Sequence, residues 1–253
     1  DNQDVHILHF ISTVYFELDQ PDSGKVFAVK LIELDPEDPR GFINSALAEM
    51  NKNQFQEAVN ILLAVVDTFK SEYAIQYLLG NAFYQQKNNE EALIFLNRAL
   101  NISPNSRNVL HTLAIIHDAM LLWPKSDSLY VNLINSDSTD AQAYNNYAYS
   151  LVERDERLEF ALQIAMQAIT LAPKNAAYLD TYGWILFKLG KNDDALNYIQ
   201  LSIELENTNG VVLEHLGDVL MRVNRKNDAL EYYRKALEFD NNNDTLKYKA
   251  FPE

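Results

Sequence analysis

Apolar and small residues recur along this chain with a helical period, and the stretch Ala176–Glu206 shows the pattern in one copy. Its first part carries one apolar stripe at i, i+3, i+4 and i+7, formed by Leu179, Tyr182, Gly183 and Leu186. A second helix is predicted from near Asp193, with an inner stripe of Ala195, Ile199 and Ser202. The small residues Gly183 and Ala195 let the two helices approach closely. Because neither helix buries both of its faces alone, the pattern predicts stacked neighbours.

The same pattern repeats along the whole chain. Small residues recur at intervals of 34 or 35 residues, at Gly24, Ala58, Ala92, Ser126, Ala161, Ala195 and Ala229. Such a period predicts tandem helical hairpins. The predicted repeats are residues 5–38, 39–72, 73–106, 107–140, 141–175, 176–209 and 210–243, with a short or truncated C-terminal cap at 244–253. Residues 1–253 are therefore predicted to form a single array.

Several motifs keep the same register as this period. A Leu-Gly pair marks the first helix at Leu79-Gly80 and Leu216-Gly217, and Ala-Leu ends the second helix at Ala99-Leu100 and Ala236-Leu237. Prolines that stop a helix follow at Pro36, Pro104 and Pro173. With the 34-residue period, these motifs resemble the tetratricopeptide-repeat (TPR) family over the whole chain. The resemblance implies an all-α, right-handed α-solenoid superhelix of about seven TPR hairpins.

Four repeats depart from the pattern. The second has Glu49 at a position that is large and apolar or aromatic in most other repeats. The fourth has Leu121–Pro124 where the inter-helix glycine is expected, and the fifth has one extra residue within Glu153–Arg157. We therefore expect a local irregularity of the superhelix between Leu121 and Leu158. The first repeat matches least well and is expected to act as the N-terminal cap.

Composition excludes several classes of partner and says little about compartment. The 21 Lys and Arg against 36 Asp and Glu give a net charge of −15, which repels nucleic acid and anionic lipid surfaces. No apolar run approaches the roughly 20 residues of a membrane span, so direct membrane insertion is not expected. With no cysteine, the redox compartment is left open. The start at Asp1 suggests a processed or trimmed chain.

The first helix of each repeat has a second face, opposite its apolar stripe, at repeat positions 2, 5, 9, 12 and 13. In TPR proteins these positions line a concave groove, so the resemblance implies a peptide-binding surface. The candidate groove residues are Tyr77, Asn81, Tyr84, His111, Asn145, Tyr149, Asp180, Trp184, Phe187, Lys188, Asp218 and Arg222. Neighbouring positions of the lining include Gln85, Ile115, Glu214 and Met221. An alternative is that Tyr149, Trp184 and Phe187 only pack between adjacent first helices.

The chemistry of this lining limits the class of ligand that the groove can bind. One known use of the family, a clamp for the dicarboxylate C-termini of chaperones, begins with Lys at repeat position 5. That position holds Tyr77, His111, Asn145, Asp180 and Glu214 here. The clamp is therefore not expected, and the lining favours a neutral or basic, partly apolar peptide.

No pattern of catalytic or metal-binding residues is present. His6 and His9 lie at i, i+3 but lack a third ligand in the pattern, so a solvated pair is expected. His117 is expected to be a hydrogen-bonded packing residue. The sequence contains no HExxH, P-loop, GxGxxG or nucleophile-elbow motif. We expect no enzymatic activity, cofactor or metal.

These observations favour a non-enzymatic scaffold or adaptor that binds a protein or peptide segment in its concave groove. The last three repeats resemble bacterial cell-envelope TPR proteins, which include lipoprotein adaptors of a periplasmic carboxyl-terminal processing protease. The resemblance favours a periplasmic or outer-membrane-anchored location over the cytoplasm and makes such a protease one possible partner. The alternative is a self-assembling structural protein that forms homo-oligomers through its groove or C-terminal face.

Overall fold

The structure is a computed structural model that describes residues 2–206 and 208–252, and these residues form α-helices and no strands. The helices are α1 (Asn2–Glu17), α2 (Pro21–Leu34), α3 (Pro39–Asn51), α4 (Phe55–Leu63), α5 (Tyr73–Gln85), α6 (Asn89–Ile102), α7 (Arg107–Ala119), α8 (Trp123–Ser136), α9 (Ala141–Glu153), α10 (Leu158–Leu171), α11 (Ala176–Lys188), α12 (Asn192–Leu205), α13 (Gly210–Arg222), α14 (Lys226–Leu237) and α15 (Asp244–Ala250). The predicted all-α class, built of helical hairpins, is confirmed.

Five of the first helices, α3, α7, α9, α11 and α13, begin where a short polar side chain caps the first turn, whereas Glu72 before α5 makes no such bond. The carboxylate or amide oxygens of Asp140, Asn175 and Asn209 accept hydrogen bonds from backbone N–H groups of the following turn. Such caps satisfy N–H groups that have no partner inside the helix. Helices α3, α5, α7, α9, α11 and α13 begin at residues 39, 73, 107, 141, 176 and 210, which are the first residues of the predicted repeats.

The turn between the two helices of every hairpin contains one residue in the left-handed region, at Asp19, Asn53, Lys87, Leu121, Asp155, Gly190 and Asn224. Gly190 adopts φ +77° without the penalty that a Cβ brings, whereas Leu121 adopts φ +59°. The extra residue of the fifth repeat is accommodated by a second left-handed residue, Arg157, directly before α10. The irregularity of the superhelix that is expected between Leu121 and Leu158 stays a prediction.

Close packing inside a hairpin depends on its small residues. A Cβ at Gly183 would lie 2.7 Å from Cγ1 and 3.2 Å from the backbone nitrogen of Ile199 on α12. Real Cβ atoms do not approach that closely, so α11 and α12 pack as they do only because position 183 has no side chain. The predicted role of Gly183 is confirmed, and Ala195 is fully buried.

The chain forms two compact units, residues 1–129 and residues 130–253, which we call the N-terminal half and the C-terminal half. In the N-terminal half one core cluster surrounds Leu62 and Leu79, and a second surrounds Leu96 and Leu113. In the C-terminal half, Leu246 and Ala250 of α15 are buried, so the predicted cap packs against the last hairpin. The prediction of a single array stays a prediction.

Two sequence expectations about histidines are wrong, one of them only in part. His6 is exposed, as expected, with its Nδ1 3.0 Å from Arg40 Nη1, but His9 is half-buried and its Nδ1 lies 3.0 Å from Asn44 Nδ2 of α3, so a solvated pair is wrong for His9. Burial, with the charge of Arg40, lowers the pKa of His9. His117 does pack inward, but its buried Nδ1 has no hydrogen-bond partner among the described residues. Burial also lowers the pKa of His117.

Candidate interaction face

In the C-terminal half, the predicted groove residue Asp180 of α11 makes a buried hydrogen bond to His215 of α13, which the sequence pattern does not assign to the groove. Nδ1 of His215 lies 3.1 Å and 3.0 Å from the two carboxylate oxygens of Asp180, and both side chains are more than nine-tenths buried. A carboxylate in such a site is stable only with a polar partner. Asp180 is therefore held inside the packing of α11 against α13.

Trp184 is placed by the same histidine. Its ring stacks on the ring of His215, with centroids 3.9 Å apart and an interplanar angle of 9°, and it also stacks on Phe187 at 5.0 Å. Its Nε1 donates to Glu153 Oε1 at 3.2 Å. Only 9% of Trp184 is exposed, so this side chain packs between successive first helices, which is the alternative that its sequence position allowed.

Two cations lie over this aromatic pair. Lys188 Nζ is 5.4 Å from the Trp184 ring centroid and 3.0 Å from the Asp155 carboxylate. The guanidinium of Arg222 is 5.2 Å from the Phe187 ring centroid. Cations over aromatic faces are attracted by the ring quadrupole. The structure thus brings Asp180, Trp184, Phe187, Lys188 and Arg222 together, as the sequence predicted, but most of their polar atoms have partners within the protein.

Asp218, another predicted residue, belongs to a second polar cluster with α15. Lys249 Nζ donates to Asp218 at 2.8 Å and to Glu214 at 2.8 Å, and the Tyr233 hydroxyl donates to Asp218 at 2.8 Å. Burial alone would lower the pKa of Lys249, but the hydrogen bonds to Asp218 and Glu214 outweigh it and raise that pKa. Burial and the neighbouring Asp218 raise the pKa of Tyr233. A depression of about 570 Å³ beside this cluster is lined by residues that include Phe187, Met221 and Arg222.

The two predicted residues of α9 differ in exposure. Asn145 is 7% exposed, and its Oδ1 has no hydrogen-bond partner among the described residues. Tyr149 is 37% exposed, so part of its ring is open to solvent. Of the predicted residues in the C-terminal half, Tyr149 and Arg222 are therefore the ones with exposed side chains.

In the N-terminal half, the predicted residues do not form one cluster. Tyr77 stacks on Tyr73 of the same helix, with centroids 5.6 Å apart, and His111 is buried. Asn81 and Tyr84 instead line a depression of about 390 Å³ between α3, α5 and α7. We call this depression the amide groove. Its lining is Leu47, Met50, Asn51, Phe55, Asn81, Tyr84, Gln85, Thr112 and Ile115.

The polar side chains of the amide groove are not used within the protein. The side-chain amides of Asn51, Asn81 and Gln85 make no hydrogen bond within residues 2–206 and 208–252. Leu47 and Met50 pack on the core beneath and leave part of their surface to the groove. None of the lining side chains carries a charge. The groove therefore offers free donors and acceptors over an apolar floor.

Sequence reasoning missed several residues of these sites, although a signal was present. His9 contacts Asn44, Asp180 contacts His215, and Glu214 contacts Lys249; each pair joins repeat position 5 to position 6 of the next repeat, 35 residues away. Complementary side chains at that spacing would have predicted the pairs. Leu47, Met50 and Asn51 occupy positions 9, 12 and 13 of the second repeat, so the groove rule itself would have found them.

The described residues contain neither a candidate membrane span nor a candidate metal site. Across 2–206 and 208–252, no helix is long and apolar enough to cross a membrane. Within the same residues, no group of three His, Asp or Glu side chains is arranged to hold a metal ion.

Comparison with known proteins identifies the family to which this helical architecture belongs. A family model described as tetratricopeptide repeat matches residues 43–107, and a second of the same description matches residues 118–251, just over half of the chain. The chain belongs to the tetratricopeptide-repeat family. Proteins of this fold generally mediate protein–protein interactions, and members of the family are typically non-enzymatic scaffolds.

Individual relatives are bacterial. The Type IV pilus assembly protein PilF of Pseudomonas aeruginosa is 30% identical over 127 residues, which are 49% of this chain and 50% of that protein. The TPR repeat-containing protein PA4667 of the same organism is 29% identical over 137 residues, 53% of this chain and 23% of that protein. This chain thus matches half or less of the length of either relative. A tetratricopeptide repeat protein from Parabacteroides merdae has the same fold, with a TM-score of 0.78 at 15% identity over 98% of each chain.

Proposed function

We propose that this protein is a non-enzymatic interaction scaffold that holds a segment of a partner protein along the faces formed by its first helices. The observation that carries the proposal is the depression between α3, α5 and α7, most of whose lining comes from the repeat positions that the sequence assigns to a groove. A depression in this size range is typical of ligand pockets, and uncommitted polar groups within it can fix the orientation of a ligand. Membership of an interaction family supports the same function.

The proposed setting is a bacterial envelope complex, in the periplasm or anchored at the outer membrane. Two observations support it: the last repeats resemble envelope TPR proteins, and a matched relative is a pilus assembly protein. The partner is a protein or peptide, and a periplasmic protease is one candidate. Its identity decides whether this chain acts as an adaptor or as an assembly factor.

Site-specific photocrosslinking in bacterial cells tests the proposal. A benzoylphenylalanine at position 84 or position 149 should crosslink to a partner, because Tyr84 and Tyr149 lie on first-helix faces with part of their rings exposed. Ile94 on α6 and Met166 on α10 are matched controls, since both are exposed on second helices of the same halves. Crosslinks that form only from the control positions would show that the partner binds elsewhere.

A second candidate, self-assembly, is favoured by one feature of α15. Tyr248 and Phe251 are 74% and 62% exposed and line a depression of about 560 Å³ with Leu237. Exposed aromatic patches of this kind are common at interfaces between proteins. Light scattering of the double variant Tyr248→Glu, Phe251→Glu tests this candidate, because charging Leu246, which is buried, would instead detach the helix. If the native chain is monomeric at all concentrations, self-assembly is ruled out.

A further inference from the structure

We infer that the amide groove binds an extended, uncharged stretch of polypeptide, through hydrogen bonds to its main chain and contacts with its apolar side chains. The inference rests on the proposed scaffold function and assigns its peptide-holding segment to the N-terminal half. The site therefore lies in the N-terminal half and not at Trp184, which was one of the candidate groove residues.

The charge of the groove selects against ionised side chains. Its lining contains aliphatic, aromatic, hydroxyl and amide groups and no carboxylate, guanidinium or ammonium. A charged peptide side chain that entered would lose hydration without gaining a counterion, which is costly. An uncharged segment avoids that cost, although the protein as a whole carries a net charge of −15 that would favour basic ligands elsewhere.

The free amides match a polypeptide backbone. Each amide of Asn51, Asn81 and Gln85 supplies both a donor and an acceptor, as does every peptide unit of a ligand. Packed neighbouring helices lie roughly 8–10 Å apart, and three residues of an extended chain span about 10 Å. An extended peptide that crosses from α3 to α5 can therefore meet Asn51 and, about three residues further along, Asn81 and Gln85, whereas α7 contributes Thr112 and Ile115 and no amide. Backbone recognition of this kind tolerates many ligand sequences.

The floor of the groove supplies the apolar contacts. Leu47, Met50 and Ile115 are partly buried and expose their remaining apolar surface between the helices, with Phe55 and Tyr84 beside them. Met adapts its shape to different apolar partners. Aliphatic or aromatic ligand side chains would bury this surface and their own, which is the main source of affinity for such a segment.

The equivalent face of the C-terminal half is a poorer receptor for a backbone. Asp180 is bonded to His215, Glu153 to Trp184, and Asp218 to Lys249 and Tyr233. A ligand would have to break these bonds to form its own. The amide groove requires no such exchange, because its amides have no partner in the described part of the chain.

Selection from a phage library of random 12-residue peptides tests the inference on the full chain. The enriched pool should be depleted in charged residues and rich in apolar ones. Synthetic copies of the best peptide should lose about tenfold or more in affinity for the double variant Asn81→Ala, Gln85→Ala, since each hydrogen bond contributes roughly fivefold. N-methylation of the central peptide bonds should cause a similar loss.

Controls separate this inference from the broader function. Asn101→Ala removes an exposed amide from α6 of the same half and should leave affinity unchanged. Circular dichroism verifies that each variant is folded. Enrichment of charged peptides, or loss of binding in Tyr149→Ala or Arg222→Ala but not in the amide variants, would overturn the inference and leave the scaffold function standing. If the selection enriches no peptide over the bare support, the inference is overturned. If the groove positions also form no crosslinks in cells, the proposed scaffold function is overturned as well.

Discussion

The first-helix faces of the two halves are built from the same repeat positions but use their polar groups in different ways. In the C-terminal half, carboxylates, a histidine, a lysine and an indole bond to one another between successive repeats. In the N-terminal half, the side-chain amides of Asn51, Asn81 and Gln85 lie at groove positions and have no partner among the described residues. A position that points toward a groove is therefore not necessarily available to a ligand. Availability depends on which side chain of the next repeat lies beside that position, 31 or 35 residues along the chain.

The difference follows from side-chain chemistry rather than from backbone geometry. Where position 5 of one repeat is acidic and position 6 of the next can donate, as in Asp180 with His215 and Glu214 with Lys249, the pair closes on itself. Ile43 at position 5 of α3 offers no such acceptor, and Leu78 follows at position 6 of α5. The amides of Asn81 at position 9 and of Asn51 and Gln85 at position 13 also have no partner among the described residues. We expect this contrast to appear in the stability of matched variants.

The largest effect is expected for Trp184→Ala. Removal of a buried aromatic ring typically costs about 3–5 kcal/mol in the free energy of unfolding, and Trp184 also supports His215 and Phe187 by stacking. Tyr84→Ala, at a half-buried position of the amide groove, should cost less than half as much. Urea unfolding followed by far-UV circular dichroism measures both, and hydrogen exchange locates the change in α11 and α13. Equal costs would contradict the comparison.

Asp180→Ala should have the next largest effect. It leaves the Nδ1 of a buried histidine without its acceptor, and an unsatisfied buried polar group costs about 1–3 kcal/mol. A double-mutant cycle with His215→Ala isolates the pair, and we expect the double variant to lose clearly less than the sum of the single losses. Strictly additive losses would show that the two side chains are not coupled.

Much of the fold was predictable from the sequence, because helical period and capping are local properties. The starts of the first helices α3, α5, α7, α9, α11 and α13 coincide with the predicted repeat boundaries, and Gly183 packs as its position predicts. The site was less predictable because it depends on contacts between repeats. A helical wheel places Trp184 on the groove face but does not reveal that His215 covers its ring. It also does not reveal which amides lack partners, as in the case of Asn81.

Glu49→Gln tests whether polar clusters of the N-terminal half lie away from its groove. Glu49 is buried and bonded to Lys25 and Lys52, which explains a carboxylate at an otherwise apolar position. Burial alone would raise the pKa of Glu49, but the two lysines outweigh it, and the net shift is downward. A lowered pKa adds stability above the ordinary value of 4.5 that is lost as pH falls through the folded-state pKa.

The expected result for Glu49→Gln is a loss of about 1–2 kcal/mol near neutral pH. The difference from the native protein should shrink as pH falls below about 4.5 and through the lower folded-state pKa, where the native carboxyl also becomes neutral. Urea titrations at neutral and acidic pH measure this difference. Affinity for an amide-groove peptide should not change, because Glu49 does not line that groove. A loss of stability that is independent of pH would mean that the shape of the Glu49 side chain, and not its charge, stabilises the protein.

Asn81→Ala should have the smallest effect on stability and is the most direct test of the comparison. Its amide has no partner in the described residues, so its removal breaks no internal bond and exposes no buried polar group. Alanine also has a higher helix propensity than asparagine, which offsets the small loss of contact. We expect a change of less than about 0.5 kcal/mol in the free energy of unfolding, together with weaker peptide binding. A loss above about 1 kcal/mol would mean that Asn81 is used in packing, as Asp180 is, and that the two faces do not differ in kind.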